Sequence, residues 1–217
     1  AADNGLPGRT MLAILDYKAG NQTSVRRALD HLGIPCVITA DPAVVDSAAG
    51  VIFPGVGAAG QAMRHLQDSG LDAVLRNVVS SGRPLLGICL GMQLLFEKSF
   101  EYGEHKGLGL IKGCVKPLEG YVPKNLKIPQ IGWNSLEFKH GKHPIFKYIN
   151  NGDFVYFVHS FFASDCENDL IATTEYGKQV TAAVANSNVC GCQFHPEKSG
   201  KVGLAILKGF CEWDGAE

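Results

Sequence analysis

The stretch that most constrains the fold is Pro84–Glu97, where a short apolar run meets a helix-like run at a single cysteine. The apolar residues Pro84–Ile88 have the length of a buried strand, and Met92–Glu97 has the pattern of a helix. Cys89 lies between them, with a glycine two residues away on each side. The spacing Gly-x-Cys-x-Gly is a thiol version of the strand–turn–helix that presents a nucleophile in α/β enzymes. The structural alternative is a buried core cysteine beside two packing glycines.

A turn of this kind would also activate the sulfur. A sharp turn strains the backbone of the central residue, so we expect its neighbours Gly87 and Gly91 to be needed for their lack of side chains. The free N–H groups and the positive dipole end of the following helix favour a negative charge nearby. Both effects favour the thiolate, which is the reactive form of cysteine.

Composition narrows the class of protein. The 217 residues suffice for one domain with a sizeable core, and the formal charge of −1 gives no electrostatic reason to bind nucleic acid or an anionic membrane. No apolar run approaches the ~20 residues that span a bilayer. Seven cysteines without a C-x-x-C pair favour reduced thiols and a cytoplasmic location. We interpret the polar residues 1–10 as a tail or expression remnant, and residues 11–217 as a single domain.

Strands and helices alternate through the first half. The predicted elements are strand Met11–Asp16, helix Ser24–Leu32, strand Cys36–Thr39, a short helix from Asp41, strand Gly50–Phe53, helices Ala59–Asp68 and Leu71–Ser81, and the strand before Cys89. Repeated strand–helix units favour an α/β fold with a mostly parallel central sheet and helices on both faces.

Short strand-like runs dominate the second half. They are Lys112–Lys116, Ser135–Phe138, Phe154–His159, Leu170–Glu175, Gln179–Ala185 and Val189–Phe194, followed by a helix over Val202–Trp213. We expect them to add antiparallel strands and then return the chain to the main sheet.

His195-Pro196-Glu197 follows the last predicted strand and offers the partners that a catalytic thiolate needs. Histidine exchanges protons near neutral pH, and a carboxylate can fix its tautomer. Because sites in parallel sheets lie at the carboxyl ends of strands, we predict a triad of Cys89, His195 and Glu197. Without Cys89, the same pair could be a strand-end histidine beside a surface carboxylate.

Cys190, Cys192 and His195 are candidate metal ligands, because they lie close in sequence and are soft or borderline donors. The spacing C-x-C-x-x-H is not a standard zinc pattern, and the sequence offers no second ligand pair. The two cysteines would share one face of a strand, as ordinary core thiols do. We therefore predict no metal.

Gly55–Gly60 reads G-V-G-A-A-G, which matches the dinucleotide pattern G-x-G-x-x-G. It follows the third predicted strand rather than the first, and no acidic residue stands ~20 residues on, at the end of the next strand. We favour a turn that offers backbone N–H groups to an oxyanion, with Val56 and Leu90 as donors. A nucleotide-binding oxidoreductase that uses Gly55–Gly60 stays the alternative.

Three segments resemble the class I glutamine amidotransferases: Pro54–Gly57, Gly87–Leu95 and Gln193–Ser199. Within that family, Pro129–Asn134 and Tyr156–Ser160 are similar to the glutaminase subunits of imidazole glycerol phosphate synthases, which serve histidine biosynthesis. The resemblance covers nearly the whole chain from Met11. The pair Phe161-Phe162, where the family often has a tyrosine, and the loop before Gly20 depart from the pattern.

The resemblance implies a flavodoxin-like fold and glutamine hydrolysis without a cofactor. The Cys89 thiolate would attack the side-chain amide of L-glutamine, and His195, oriented by Glu197, would protonate the departing ammonia. The oxyanion hole would involve Gly55, Val56 and Leu90. The positions that resemble substrate-binding residues are Gly57, Gln93, His159, Ser160 and Phe161. Gln93 could instead be a helix-surface amide, and His159 a satisfied strand histidine.

The resemblance also implies a partner, a (β/α)8 cyclase subunit that receives the ammonia in a heterodimer. The expected interface residues are Asn21, Gln130, Gly132, Trp133 and Lys198, although Trp133 could equally be a core tryptophan. The isolated subunit is expected to be nearly idle, because the turn at Gly55–Gly57 needs a peptide flip to aim the Val56 N–H inward. The alternative within the family is a glutaminase subunit for anthranilate, carbamoyl phosphate or GMP synthesis.

Overall fold

The molecule is built around an eight-stranded sheet, seen in a computed structural model that describes residues 11–216. The expected tail, residues 1–10, lies outside the described residues. The helices are α1 (Gln22–His31), α2 (Pro42–Ser47), α3 (Ala59–Ser69), α4 (Leu71–Ser80), α5 (Leu90–Leu94) and α6 (Gly200–Glu212). The strands are β1 (Leu12–Leu15), β2 (Cys36–Thr39), β3 (Gly50–Phe53), β4 (Leu85–Ile88), β5 (Phe96–Ser99), β6 (His105–Lys106), β7 (Ile111–Pro117), β8 (Gln130–Ser135), β9 (Glu137–Phe138), β10 (Phe154–His159), β11 (Phe161–Ser164), β12 (Leu170–Glu175), β13 (Gln179–Asn186) and β14 (Val189–Cys192).

The main sheet has the strand order β2-β1-β3-β4-β14-β13-β12-β9. The first five strands in this order run parallel, and the last three are added antiparallel. The expected α/β class, with a mostly parallel sheet and antiparallel additions, is confirmed. The last strand, β14, returns to lie beside β4, which brings the two ends of the predicted triad together.

Both faces of the parallel strands β1, β3, β4 and β14 are buried, so these strands read as continuous apolar runs, while the edge strand β2 is half-buried. In β1, Ala13 and Leu15 face one core while Leu12 and Ile14 face the other. Helices α2, α3 and α4 cover the first core, and α1 and α6 cover the second. The helices therefore lie on both faces of the sheet, as the strand–helix alternation predicts.

The second half departs from the expected elements at several points. The helix-like run Met92–Glu97 is wrong at its end, because α5 stops at Leu94 and Phe96 enters β5. There Phe96 pairs with Ile111, in a second sheet of order β11-β7-β5-β6. A cross-strand partner far along the chain thus decides the conformation of Phe96, which local helical periodicity cannot reveal.

The segment Ser135–Phe138 was also expected to be one strand. It divides at Leu136, which is buried and donates its N–H to the Asp153 carbonyl at 2.9 Å. Strand β8 ends before this point and pairs with β10 in a two-stranded sheet, while β9 joins the edge of the main sheet. Strands β5, β6, β11 and most of β8 were not predicted from the sequence, and the last strand ends at Cys192 rather than Phe194.

Candidate active site

Cys89 lies at the carboxyl end of β4, in a sharp turn into α5. Its backbone has φ 54° and ψ −111°, a conformation that side-chain-bearing residues rarely adopt. A Cβ on Gly91 would lie 1.8 Å from the Phe53 carbonyl oxygen, and one on Gly87 would lie 2.8 Å from the Met92 backbone. The two flanking glycines are thus required by close backbone approach, while the cysteine itself carries the strain.

His195 follows β14, the strand that is hydrogen-bonded to β4. Its Nδ1 lies 2.6 Å from Oε1 of Glu197, and each of the two side chains is 1% exposed. The same Oε1 accepts a hydrogen bond from Nδ2 of Asn21 at 3.1 Å. Asn21 was expected at an interface, and the structure gives it a contact with the third member of the predicted triad.

The other ring nitrogen of His195, Nε2, is buried and makes no hydrogen bond to any residue that the structure describes. Burial acts to lower the pKa of His195, but interactions with Cys89 and Glu197 outweigh it and raise that pKa to about 9. The imidazole is therefore protonated at neutral pH, between a carboxylate and the cysteine sulfur. This arrangement favours an imidazolium–thiolate pair. The N–H at Nε2 stays available to donate to a substrate group that reacts with the sulfur.

A buried glutamine that the sequence interpretation did not single out also contacts the sulfur. Gln193 has no exposed surface, and its Nε2 lies 3.7 Å from the Cys89 Sγ. Its Oε1 accepts a hydrogen bond from Nε2 of Gln93 at 3.0 Å. The same nitrogen of Gln93 donates to the Phe161 carbonyl at 3.0 Å. The sequence does contain a signal for this contact. Gln193 lies two residues before His195, and both follow β14, so their side chains project toward the same site.

The expected oxyanion hole is not formed in this structure. The N–H of Val56 donates to the Ala19 carbonyl at 2.9 Å, and the N–H of Leu90 donates to the Gly55 carbonyl at 3.2 Å. The Gly55 carbonyl oxygen thus accepts the Leu90 N–H, which an oxyanion hole would offer to the substrate. The Gly55–Val56 peptide thus points its carbonyl toward Leu90 and its N–H away from the site, which is the orientation that a peptide flip would have to reverse.

The glycines of the G-x-G-x-x-G stretch each have a local structural explanation. A Cβ on Gly55 would lie 1.9 Å from the Tyr17 hydroxyl, and one on Gly60 would lie 2.7 Å from the His105 ring. Gly57 has φ 108°, which favours glycine. Packing and backbone conformation therefore account for the spacing that suggested a dinucleotide site.

Tyr17 is a buried neighbour of this turn. It is 2% exposed, its hydroxyl has no hydrogen-bond partner among the described residues, and its ring packs 5.1 Å from that of Phe53. Burial, and then the nearby charge of Cys89, raise the pKa of Tyr17. The hydroxyl is therefore neutral, and it limits the space beside Gly55.

His159 and Gln130 form a buried pair behind the site. Nδ1 of His159 lies 2.7 Å from the Phe161 carbonyl oxygen, and Nε2 lies 2.8 Å from Oε1 of Gln130. Burial lowers the pKa of His159 to about 4, so the ring is neutral. Gln130 has no exposed surface, which corrects its expected direct contact with a partner. Ser160 and Phe161 follow at the start of β11, and both are half-buried.

An exposed apolar face lies on the two-stranded sheet. Ile131 and Trp133 of β8 share this face with Phe154 of β10, and these side chains are 61%, 54% and 54% exposed. Because Trp133 is this exposed, it is not a core residue. Its ring contacts that of Tyr156 edge-on at 6.0 Å. The Tyr156 carbonyl accepts the N–H of His195 at 3.0 Å, which joins this face to the triad segment. Gly132 is half-buried, and Lys198 is exposed.

Glu101 is a buried carboxylate near the site that the sequence interpretation also missed. It is 7% exposed, and burial raises its pKa against the opposing effects of the Ala59 N–H and His105. The next residue, Tyr102, places its ring 5.8 Å from that of Phe161. An acidic residue in a polar loop carries no sequence signal for such a position.

Cys190 and Cys192, weighed as metal ligands, are core thiols on the second face of the sheet. Their Sγ atoms lie 3.5 and 3.9 Å from the carbonyls of Leu85 and Gly87 on β4. Burial raises the pKa of both thiols, which disfavours the thiolate that a metal would require. Within residues 11–216, no helix is long and apolar enough to cross a membrane.

The chain is similar to known proteins in sequence and in fold. Residues 13–212 match the family model Glutamine amidotransferase class-I. The chain is 49% identical, over 94% of both chains, to an imidazole glycerol phosphate synthase subunit HisH of Desulfovibrio desulfuricans. It is 48% identical to the HisH subunit of Caldanaerobacter subterraneus, over 93% of this chain and 98% of that one.

Solved structures agree on the fold. A glutamine amidotransferase crystal structure superposes with a TM-score of 0.73 at 19% identity, over 94% of this chain and 99% of the other. A chain in the PurLQS structure from Thermotoga maritima gives 0.71 at 18%, over 93% and 97%. The resemblance found in the sequence motifs is confirmed, and the oxidoreductase alternative loses its support. The chain belongs to the class I glutamine amidotransferase family, in the group that contains the HisH subunits.

Proposed function

We propose that Cys89, His195 and Glu197 hydrolyse L-glutamine to glutamate and ammonia, and that the ammonia passes to a (β/α)8 cyclase subunit of imidazole glycerol phosphate synthase. The observation that carries this proposal is the pair of ring nitrogens of His195. Nδ1 is held by Glu197 at 2.6 Å, while Nε2 is buried, unpartnered among the described residues and next to the sulfur. The names of the relatives, which are subunits of this synthase, support the choice of partner.

In the first half-reaction the Cys89 thiolate attacks the side-chain amide carbon of glutamine, forming an S–C bond and an oxyanion. The oxyanion then collapses, the C–N bond breaks, and Nε2 of His195 gives its proton to the departing nitrogen. Because the pKa of His195 is raised to about 9, the proton is already in place at neutral pH. A γ-glutamyl thioester and neutral His195 remain.

In the second half-reaction the neutral imidazole takes a proton from water as the water oxygen attacks the thioester carbonyl. The C–S bond then breaks, glutamate leaves, and the sulfur returns as thiolate beside imidazolium. Glu197 keeps Nδ1 protonated throughout, which leaves Nε2 as the nitrogen that exchanges protons. The contact from Asn21 holds the same carboxylate oxygen and so helps to fix its position.

Catalysis of either half-reaction needs donors for the oxyanion, and here both donors are engaged within the chain. Rotating the Gly55–Val56 peptide would release the Val56 N–H from Ala19 and remove the Gly55 carbonyl from Leu90. Glycines at 55 and 57 make such a rotation inexpensive. We infer that this structure is a resting form, and that the cyclase subunit with its nucleotide ligand favours the rotated peptide.

The substrate would lie between α5 and the start of β11. Gln93, Gly57 and the segment His159–Phe161 border this space, in keeping with the roles that the family resemblance implies. We propose that the buried carboxylate of Glu101, whose neighbour in sequence Tyr102 contacts the Phe161 ring, pairs with the α-ammonium group of glutamine. The neutral state of His159 suits a positioning role, because a second imidazolium would compete with His195.

The cyclase subunit would dock on the exposed apolar face of Ile131, Trp133 and Phe154. Large exposed aromatic side chains are typical anchors of protein interfaces. Strand β10 carries part of this face, and its Tyr156 carbonyl accepts the backbone N–H of His195. Gly132, Lys198 and Asn21 would border the same surface, whereas buried Gln130 would support it from behind.

The test is covalent labelling with a diazoketone analogue of L-glutamine, followed by peptide mass spectrometry, with and without the cyclase subunit. We expect the label on Cys89, faster in the complex, and none in Cys89→Ser. Cys36→Ser, which removes a partly exposed thiol, is the matched control and should label normally. A label on another cysteine, or no label in the complex, would overturn the proposal. Growth without histidine, restored by the wild-type gene in a strain that lacks this subunit, separates it from the subunits of other amidotransferases.

A further inference from the structure

We propose that Gln193 is a further catalytic residue, whose buried amide donates a hydrogen bond to the Cys89 thiolate and stabilises it whatever the charge of His195. This inference rests on the proposed nucleophilic role of Cys89. Nε2 of Gln193 lies 3.7 Å from Sγ, which is hydrogen-bond distance for a sulfur acceptor. Gln193 is fully buried, and Cys89 is 7% exposed, so water competes little for this contact.

The main chain fixes the position of Gln193. Its N–H donates to the Ala182 carbonyl of β13 at 2.8 Å, directly after β14 ends. The Cys89 N–H donates to the Cys192 carbonyl at 2.8 Å. Cys89 follows β4 and Gln193 follows β14, and these two strands are hydrogen-bonded to each other. The distance between amide and sulfur is therefore set by strand pairing.

A second hydrogen bond fixes which end of the amide faces the sulfur. Gln93 presents its Nε2 to Gln193, and a donor there requires the carbonyl oxygen of Gln193, at 3.0 Å. Gln93 cannot readily turn its own amide round, because the same Nε2 also donates to the Phe161 carbonyl. The NH2 group of Gln193 is thus directed at Sγ, and the order of contacts is Phe161, Gln93, Gln193, Cys89.

The other groups around the sulfur do not replace this donor. The Val158 carbonyl, 3.9 Å from Sγ, can only accept from a neutral thiol and disfavours the thiolate. Tyr17 and Cys192 are buried groups whose pKa values are raised mainly by burial and less by Cys89, and Glu197 lies beyond the imidazole. His195 stabilises the thiolate only while it is protonated, and it loses that proton as the pH rises through about 9. A neutral amide donor does not depend on the charge of His195.

The test is the pH dependence of alkylation of Cys89 by iodoacetamide in the full chain, read by peptide mass spectrometry. In Gln193→Met, which keeps the volume but not the donor, we expect the pH midpoint to rise by about one unit, a tenfold loss of thiolate below the midpoint. Gln193→Glu should raise it further, because a carboxylate repels the thiolate. Cys36 in the same samples is the internal reference, and its midpoint should not move.

Thr181→Val is the matched control for disturbing a buried polar group. The Thr181 hydroxyl is buried and donates to the Ala163 carbonyl at 2.8 Å, away from the sulfur. An equal shift in Thr181→Val, or an unchanged midpoint in a folded Gln193→Met, would overturn the proposal. If Gln193→Met fails to fold, Gln193→Asn keeps the amide but shortens the side chain, and any rise in its midpoint supports the proposal while none refutes it. Alkylation needs no glutamine, so failure of the proposed glutaminase activity would appear separately, as absent labelling by the diazoketone in the wild type.

Discussion

The two halves of this active site differ in how completely they are assembled. His195 and Glu197 are buried, bonded at 2.6 Å and set beside Cys89 by the pairing of β4 with β14. The turn at Gly55–Val56 follows the neighbouring strand, β3, yet both of its expected oxyanion contacts are satisfied inside the chain. The triad depends on side chains that follow two paired strands of the sheet. The oxyanion hole depends on the orientation of the single peptide Gly55–Val56. The difference shows how proton transfer can be ready while stabilisation of the oxyanion is withheld.

The largest effect is expected from the assembled half. Glu197→Gln removes the carboxylate that fixes the tautomer of His195, and we expect kcat for glutamine hydrolysis in the complex to fall by about 10³–10⁴. Glu212→Gln is the matched control, because Glu212 forms a peripheral ion pair with Lys147 at 2.7 Å. It should stay within about twofold of the wild type by the general weakness of surface pairs. A similar loss in both variants would show that Glu197 has no special role.

The unassembled half predicts strong dependence on the partner. Each missing oxyanion donor costs about 10²–10³ in kcat, so adding the cyclase subunit with its nucleotide ligand should raise glutaminase activity at least about 100-fold. Steady-state glutamate release measures this rise, with the unliganded cyclase as control. Full activity of the isolated chain would remove the distinction between the two halves.

The space beside the turn predicts a stability effect. Gly55→Ala places a methyl group against the Tyr17 hydroxyl, and we expect the free energy of unfolding to fall by about 1–3 kcal/mol. Tyr17→Phe removes that oxygen, so the double variant should regain part of the loss in urea unfolding. Tyr17→Phe alone is the control for losing the hydroxyl. A double variant no more stable than Gly55→Ala would show that the hydroxyl does not limit the turn.

The raised pKa of His195 predicts how stability depends on pH. The folded-state pKa of about 9 lies above the ordinary value of 6.5, so the stabilisation is fully present below about pH 6.5 and is lost as pH rises through 9. We expect the free energy of unfolding to decrease across this window by about 3 kcal/mol. Urea titrations at several pH values measure it, and Glu197→Gln should reduce the decrease. A slope of opposite sign would contradict the protonated state of His195.

The smallest effect is expected from the contact that supports Glu197. Asn21 has φ 72°, so Asn21→Gly keeps the left-handed backbone at the start of α1 and removes only the amide. One hydrogen bond to a carboxylate is worth about 1–2 kcal/mol, and we expect kcat to fall by roughly 5–30-fold. Lys18→Gly, at another left-handed position nearby, is the control for loop flexibility. No change in Asn21→Gly would assign this residue to the interface alone.

Local sequence signals were sufficient for the elements that carry the catalytic side chains. The apolar runs before Cys89 and before His195 specify buried strands, and the glycines beside Cys89 specify the turn. The same reasoning did not single out Gln193, although it lies two residues before His195, because the role of an amide shows only once its distance to the sulfur is known. It also misplaced Phe96, whose strand partner Ile111 lies in a separate part of the chain.

The sequence by itself determined the fold class, the strained cysteine and the identity of its base, because these follow from apolar periodicity, glycine spacing and side-chain chemistry. Only the tertiary structure decided that β14 lies beside β4, that Asn21 and Gln193 hold the two ends of the triad, and that the Gly55–Val56 peptide faces away from catalysis. Strand neighbours and peptide orientation depend on contacts between distant residues, and glycine permits both orientations of that peptide. For that reason the sequence predicts the nucleophile and the need for a peptide flip, whereas only the structure shows which orientation the Gly55–Val56 peptide adopts.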